Sequence, residues 1–231
     1  MRVVLFDIDG TLLTTGGGAR EAFTRALSEA ADRPISAEGY SFSGRTDPQI
    51  ARDLLKAHGV EGAELETGIE RTVRLYLRYF SAAAPRLPSA RLLPGVRDLL
   101  EALAARPDAR TALLTGNVEA GARIKLDHFG LCGYFDFALS CFGSDDPDRY
   151  RLPALALARA RRALGESIAP EQLVLVGDSE HDVLCGRSVG TRAVAVCTGW
   201  TDAEDLRALG PDALLQDLSD TGRALEAILA A

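Results

Sequence analysis

Three short polar segments concentrate the reactive residue types of this chain: Asp7-Ile8-Asp9-Gly10-Thr11, Thr115-Gly116-Asn117 and Gly177-Asp178-Ser179-Glu180-His181-Asp182. Four of their carboxylates, Asp7, Asp9, Asp178 and Asp182, would repel one another strongly if brought together, unless a cation compensated. Magnesium is the natural candidate, since it combines a few carboxylates with waters and substrate phosphate oxygens rather than a full protein cage. A site of this kind asks for a phosphorylated small molecule. Thr115 offers a hydroxyl and Gly116 permits close backbone approach, which suits holding a phosphoryl oxygen at a helix N-terminus.

Something must carry these segments to one place. Each follows an apolar run: Val3-Val4-Leu5-Phe6, Thr111-Ala112-Leu113-Leu114 and Leu173-Val174-Leu175-Val176, with a fourth run at Ala193-Val194-Ala195-Val196. Runs without alternation suit strands covered on both faces. Weaker strand candidates lie at 135–141 and 213–216. Helical spacing fills the intervals at 94–104, 118–129, 153–164 and 182–189, and again at 221–229. Thr201 and Glu204 have capping-box spacing ahead of Leu206 and Leu209. Strands alternating with helices imply an α/β fold, a doubly wound parallel sheet whose ligands bind beyond the carboxyl ends of the strands. The three polar segments would meet along that edge.

One stretch breaks the alternation. From residue 19 to about 80 no convincing strand appears; Ala19, Ala22, Phe23, Ala26, Leu27 and Ala30 keep helical spacing, as do Leu65, Ile69, Val73, Tyr76 and Phe80. Asp47-Pro48 offers an N-cap and first-turn proline for a helix between them, which Gly59 is placed to end. Gly16-Gly17-Gly18 on one side and Pro85, Pro88 and Pro94 on the other read as linkers. The expected organisation is an α/β core of residues 1–15 and 88–231, with an all-helical module, 16–87, inserted after the first strand.

Composition limits the partners. A formal net charge of -7 argues against a grip on nucleic acid or an anionic membrane, which rests on clustered Lys and Arg. Hydrophobic residues at 47% and charged ones at 26% suit an ordinary globular protein. Cys132, Cys141, Cys185 and Cys197 form no CxxC pair and read as reduced thiols. Without a signal-like opening or a long apolar segment, the expectation is a cytoplasmic protein acting on a small molecule, as a monomer or homodimer.

Taken together and in order, DIDGT, LLTGN and GDSEHD make the sequence resemble the haloacid dehalogenase superfamily, and within it the phosphoglycolate phosphatase-like group with a helical cap. The resemblance spans nearly the whole chain. It implies that Asp7 is the nucleophile, forming an aspartyl-phosphate, and that Asp9 is the general acid and base. It also implies Mg2+ held by Asp7, the main-chain carbonyl of Asp9 and Asp178, with Asp182 supporting through water. Thr115, Gly116, Asn117 and Thr11 would contact the phosphoryl group. In the cap, Arg45 of Gly44-Arg45-Thr46-Asp47 is the candidate for binding a substrate anion; a plain helix-entry turn is the alternative reading of that segment.

The third motif departs from the family, which usually has a lysine before the helix that precedes GDSEHD. Lys56 and Lys125 are the only lysines. Lys125 follows Thr115 by ten residues, roughly 15 Å along a helix, so it is expected to need an unusual path to the phosphate. The expected substitutes are Arg151, with the better spacing to the helix at 153–164, or Arg149 in the preceding polar turn. His181 and His58 read as a surface neighbour and a helix-end charge. The expected activity is magnesium-dependent hydrolysis of a small phosphate monoester, phosphoglycolate or similar. A sugar-phosphate mutase and a non-catalytic phosphate-binding or regulatory protein are the alternatives.

Overall fold

The computed structural model describes residues 1–230. Six parallel strands form one sheet in the order β5-β4-β1-β6-β7-β8: β1 (Arg2–Phe6), β4 (Ala109–Thr115), β5 (Cys141–Phe142), β6 (Leu173–Gly177), β7 (Arg192–Val196) and β8 (Ala213–Leu215). Central β1 is paired on both sides, Phe6 standing opposite Leu113 of β4 and Val176 of β6. Three segments that leave these strands at their carboxyl ends are thereby neighbours, as the sequence pattern requires.

Alternate side chains of β1 enter opposite layers, as strand geometry demands. Val4 and Phe6 pack with Leu99 and Leu100 of α4 (Val96–Ala104), Ala122 and Leu126 of α5 (Glu119–His128) and Ile228 of α9 (Thr221–Leu229). Val3 and Leu5 face the other way, onto Leu152 and Ala156 of α6 (Leu152–Leu164) and Cys185 of α7 (Glu180–Arg187). A short α8 (Ala203–Ala208) precedes β8. Among the described residues, no helix is long and apolar enough to cross a membrane.

Three helices follow β1 before the sheet resumes: α1 (Gly18–Ala30), α2 (Asp47–Ala57) and α3 (Gly62–Ala83). They close around a core of their own that includes Phe23, Leu27, Ile50, Leu54, Tyr76 and Phe80. Fully burying each such side chain stabilises by about 1.5–3 kcal/mol, and Ile124 of α5 packs against the same cluster. The chain leaves and returns through a two-stranded antiparallel ribbon, β2 (Leu13–Thr14) with β3 (Arg91–Leu92).

Local details differ from the sequence pattern at three places. The N-cap of α2 is Thr46, whose hydroxyl accepts from Gln49 N–H at 3.2 Å, which frees Asp47 for another use. Thr201 does not cap α8; Asp202 stands at that position with no side-chain cap bond. Only Cys141–Phe142 of the 135–142 region pairs as a strand, because a turn intervenes in which the Ala138 N–H is bound by Asp136.

Candidate active site

Asp7 follows β1, its N–H donating to the Val176 carbonyl at 2.9 Å. Asp178 follows β6, and Asp182 lies in the first turn of α7. There Ser179 is the N-cap, and Asp182 Oδ2 accepts from the Ser179 N–H at 3.0 Å, a reciprocal box that fixes both side chains. The outcome is three buried carboxylates, Asp7, Asp178 and Asp182, each offering an oxygen within 4.8 Å of the others.

Small residues make this approach possible. A Cβ on Gly10, whose φ is +86°, would stand 2.4 Å from Asp178 Oδ2, and one on Gly199 would stand 1.6 Å from the same oxygen. The Thr11 hydroxyl donates to Asp178 Oδ1 at 2.8 Å. Thr115 is fully buried, and its hydroxyl accepts from Asn117 Nδ2.

Electrostatics follow from this crowding. Burial pushes the Asp7 carboxyl up to about 6, with Asp182 and Asp9 adding to the rise and Arg149 and Thr115 opposing it. Asp178 is driven well above the usual carboxylate range, first by burial, then by Asp182 and Asp7. One guanidinium is the protein's own answer: Arg149, 3% exposed, contacts Asp182 Oδ1 and lies 3.5 Å from Asp7 Oδ1. Three hard oxygen donors with incomplete charge compensation fit a divalent cation such as Mg2+.

The two arginines on the turn before α6 separate clearly. Arg149 and Arg151 occupy a 3-10 turn, two residues apart, so they point to different sides. Arg151 is 71% exposed, 3.5 Å from Asp146 and 3.7 Å from Asp148, and does not reach the cluster. Its better helix spacing was the wrong criterion, because the turn, not the helix, presents the side chain.

Lys125 also departs from expectation. Its Nζ is 2.6 Å from both Asp9 Oδ2 and Asn117 Oδ1, and the side chain is 4% exposed. Counting ten helical residues from Thr115 overstated the distance: α5 begins only at Glu119, leaving about 9 Å of helix. Helical side chains also lean toward the N-terminus. A lysine on the face carrying buried Ala122 and Leu126 was the available signal. Asn117 Nδ2 donates to Asp9 Oδ2 at 2.8 Å and to the Thr115 hydroxyl at 2.8 Å, joining the first two polar segments.

The inserted helices sit against this site. The Asp47 N–H donates to the Gly116 carbonyl and its carboxylate accepts from the Val118 N–H, both at 2.8 Å. The Thr46 hydroxyl donates to the Pro147 carbonyl at 2.7 Å. Arg45 lies 3.6 Å from Asp53 and 5.3 Å over the Tyr40 ring, with its buried Nε unpartnered. It borders a cavity of about 150 Å³ shared with Ser43, Ser179, His181 and Trp200. His181 is part-buried rather than a surface neighbour, its Nδ1 3.0 Å from the Tyr150 hydroxyl.

Fold and site define a parallel-sheet α/β protein with an acidic centre at its strand ends. The family model of the haloacid dehalogenase-like hydrolases matches residues 1–190. A phosphoglycolate phosphatase of Cereibacter sphaeroides is 30% identical over 203 residues, covering 87% of each chain. That of Nitrosospira multiformis is 27% identical over 227 residues, 98% of this chain and 96% of the relative. In fold, the phosphate complex of CbbY from Rhodobacter sphaeroides superposes with a TM-score of 0.75 at 24% identity, over 96% of this chain and 97% of that one. The chain belongs to the haloacid dehalogenase-like hydrolases. Within that family it is an enzyme of the phosphoric monoester hydrolase class.

Proposed function

We propose that this enzyme is a magnesium-dependent phosphatase that hydrolyses a small phosphate monoester, phosphoglycolate or a similar compound, through an aspartyl-phosphate on Asp7. The single observation that carries the reading is the convergence of Asp7, Asp178 and Asp182 within 4.8 Å. Asp7 attacks phosphorus, the bond from phosphorus to the ester oxygen breaks, and the departing oxygen takes a proton from Asp9. Asp9 then removes a proton from water, which attacks the aspartyl-phosphate; inorganic phosphate leaves and the Asp7 carboxylate returns.

Asp7, Asp178 and the main-chain carbonyl of Asp9 would hold Mg2+, with Asp182 in support. Bound there, the ion supplies charge neutralisation for the phosphoryl oxygens. Thr115, Gly116 and Asn117 bind and orient that group, and Arg149 balances the carboxylates from the protein side. Thr11 steadies Asp178. Residues 16–87 act as a cap that excludes bulk water, and Arg45 meets the anionic end of the leaving group beside the 150 Å³ cavity. The names of the curated relatives support phosphoglycolate as the first substrate to try. The four unpaired thiols support a reducing, cytoplasmic setting.

The test is phosphate release from a panel of small phosphate esters, with and without Mg2+, for the native protein and Asp7→Asn. Magnesium-dependent turnover lost in the variant is the expected result. Absence of turnover of every ester would overturn it, and transfer to a second hydroxyl compound instead of water would assign a mutase.

A further inference from the structure

The reaction above gives Lys125 no part, yet its position is a costly one. An ammonium withdrawn from water is tolerated only where its charge and hydrogen bonds are answered. Those answers come first from the core. Lys125 Nζ and Asn117 Nδ2 both donate to Asp9 Oδ2, at 2.6 and 2.8 Å. One oxygen of Asp9 is thus held by two donors, while Oδ1 has no donor among the described residues and is the oxygen free to carry a proton.

The inserted helices answer the same ammonium from the other side. The Phe80 ring of α3 has its centroid 5.9 Å from Nζ. Asp47, at the start of α2, is buried against the Gly116–Val118 turn that carries Asn117, bound there through both its N–H and its carboxylate. The charge on Lys125 acts on Asp47 and offsets part of the upward push that burial gives this carboxyl. Core and helices therefore converge on a single cation, and the turn gripped by Asp47 is the turn that steers Asp9.

Resting on the reading of Asp9 as general acid and base, we propose that Lys125 is a positioning residue that couples docking of the inserted helices to the alignment of Asp9. With the helices docked, Phe80 covers the ammonium and Asp47 holds the adjoining turn, and the pairing of Lys125 with Asp9 strengthens in the lower local dielectric. With them undocked, the ammonium is hydrated and Asp9 loses the fixed orientation that proton transfer requires. Asp9 is then competent only while substrate is covered.

The experiment compares kcat/KM, which reports the steps up to phosphoryl transfer onto Asp7, for two esters in saturating Mg2+. One is the best alkyl phosphate of the panel, whose leaving oxygen must be protonated. The other is p-nitrophenyl phosphate, whose leaving group needs no proton. Lys125→Met should lose about 10²-fold on the alkyl ester and at least about tenfold less than that on the aryl ester. Lys125→Arg should recover most of the loss. Asp47→Asn keeps an acceptor for Val118 but not the charge; it should show the same selectivity at smaller size and add nothing in the Lys125→Met background.

Equal losses on both esters for Lys125→Met, or additive losses in the double variant, overturn the proposal. Asp9→Asn is the reference that separates the two levels of inference. Unequal loss in Asp9→Asn with equal loss in Lys125→Met removes only the role of Lys125. Equal loss in Asp9→Asn removes the general-acid reading and the proposal with it. Should Lys125→Met not fold, Asp47→Asn carries the same two-ester comparison.

Discussion

Arg149 Nη2 stands 3.5 Å from Asp7 Oδ1 while also contacting Asp182, so one buried guanidinium ties the carboxyl end of β1 to the first turn of α7. Removing one partner from a buried ion pair typically costs about 3–5 kcal/mol, because the other charge is left stranded. Arg149→Ala should therefore lower unfolding stability by about that amount without metal, and kcat by about 10²–10³-fold. Arg151→Ala, at an exposed side chain, should stay within about twofold of native kcat. Denaturant melts and steady-state rates check both; an active, stable Arg149→Ala would remove the assignment.

The crowding of carboxylates also sets a pH dependence. Asp7 and Asp47 are each raised from 3.8 to about 6, chiefly by burial. A carboxyl with a higher pKa folded than unfolded holds more protons in the folded state. Its stabilising contribution is full below the unfolded value and is lost as pH rises through the folded one. The metal-free protein should melt at a higher temperature near about pH 5 than near about pH 7.5, and the rise in melting temperature caused by Mg2+ should grow with pH, since metal and protons compete. Thermal melts across this range with and without Mg2+ decide it. A metal-free melting temperature that climbs from the lower to the higher pH would contradict the burial assigned to these groups.

Gly116 lies where the inserted segment approaches the core closely: a Cβ there would stand 2.0 Å from the Arg45 carbonyl oxygen. Neither partner is a flexible side-chain end, so Gly116→Ala should keep the helices from seating. Expected results are a folded protein with a larger radius of gyration in solution scattering and a kcat/KM lower by about 10²-fold, the scale of an ångström-sized misplacement. Unchanged scattering and activity would mean that this contact does not govern docking.

Thr11→Val tests the support of Asp178. The exchange keeps shape but deletes a 2.8 Å hydrogen bond to a buried carboxylate, and the loss of a partner that orients a metal ligand typically costs about 10–100-fold in metal affinity. The Mg2+ concentration for half-maximal activity should rise by at least about tenfold, with little change at saturation. An unaltered Mg2+ requirement would separate Asp178 from the metal.

How much of this was legible from residue order depends on the range of the cause. The four apolar runs and the helical spacing between them are local, and they point to a parallel sheet with the polar segments at one edge. The segments Asp7 to Thr11, Thr115 to Asn117 and Asp178 to Asp182 carry most of the site for the same reason. Lys125 offered only the signal of a lysine on an apolar helix face, and Asp47 read as a helix-start residue rather than a site residue. Each reaches its partner across the fold, Lys125 to Asp9 and Asp47 to Val118, and each also satisfies an ordinary helical role in sequence. Arg149 and Arg151 could not be told apart, because two residues of a 3-10 turn decide by direction alone which is buried.

The ribbon of Leu13–Thr14 with Arg91–Leu92 has a wider consequence. Paired strands stand about 4.8 Å apart, so the inserted helices are attached to the sheet by two chain ends lying side by side, as any hairpin loop would be. The sheet's strand order is indifferent to what is spliced between those ends, and the entropic cost of a longer splice grows only logarithmically with its length. A lineage built on this plan can trade one lid for another, or for a bare turn, while Asp7, Thr115 and Asp178 remain in place. New substrates are then acquired by exchange of a part rather than by reconstruction of the chemistry, and the same two ribbon strands mark where an engineer would cut.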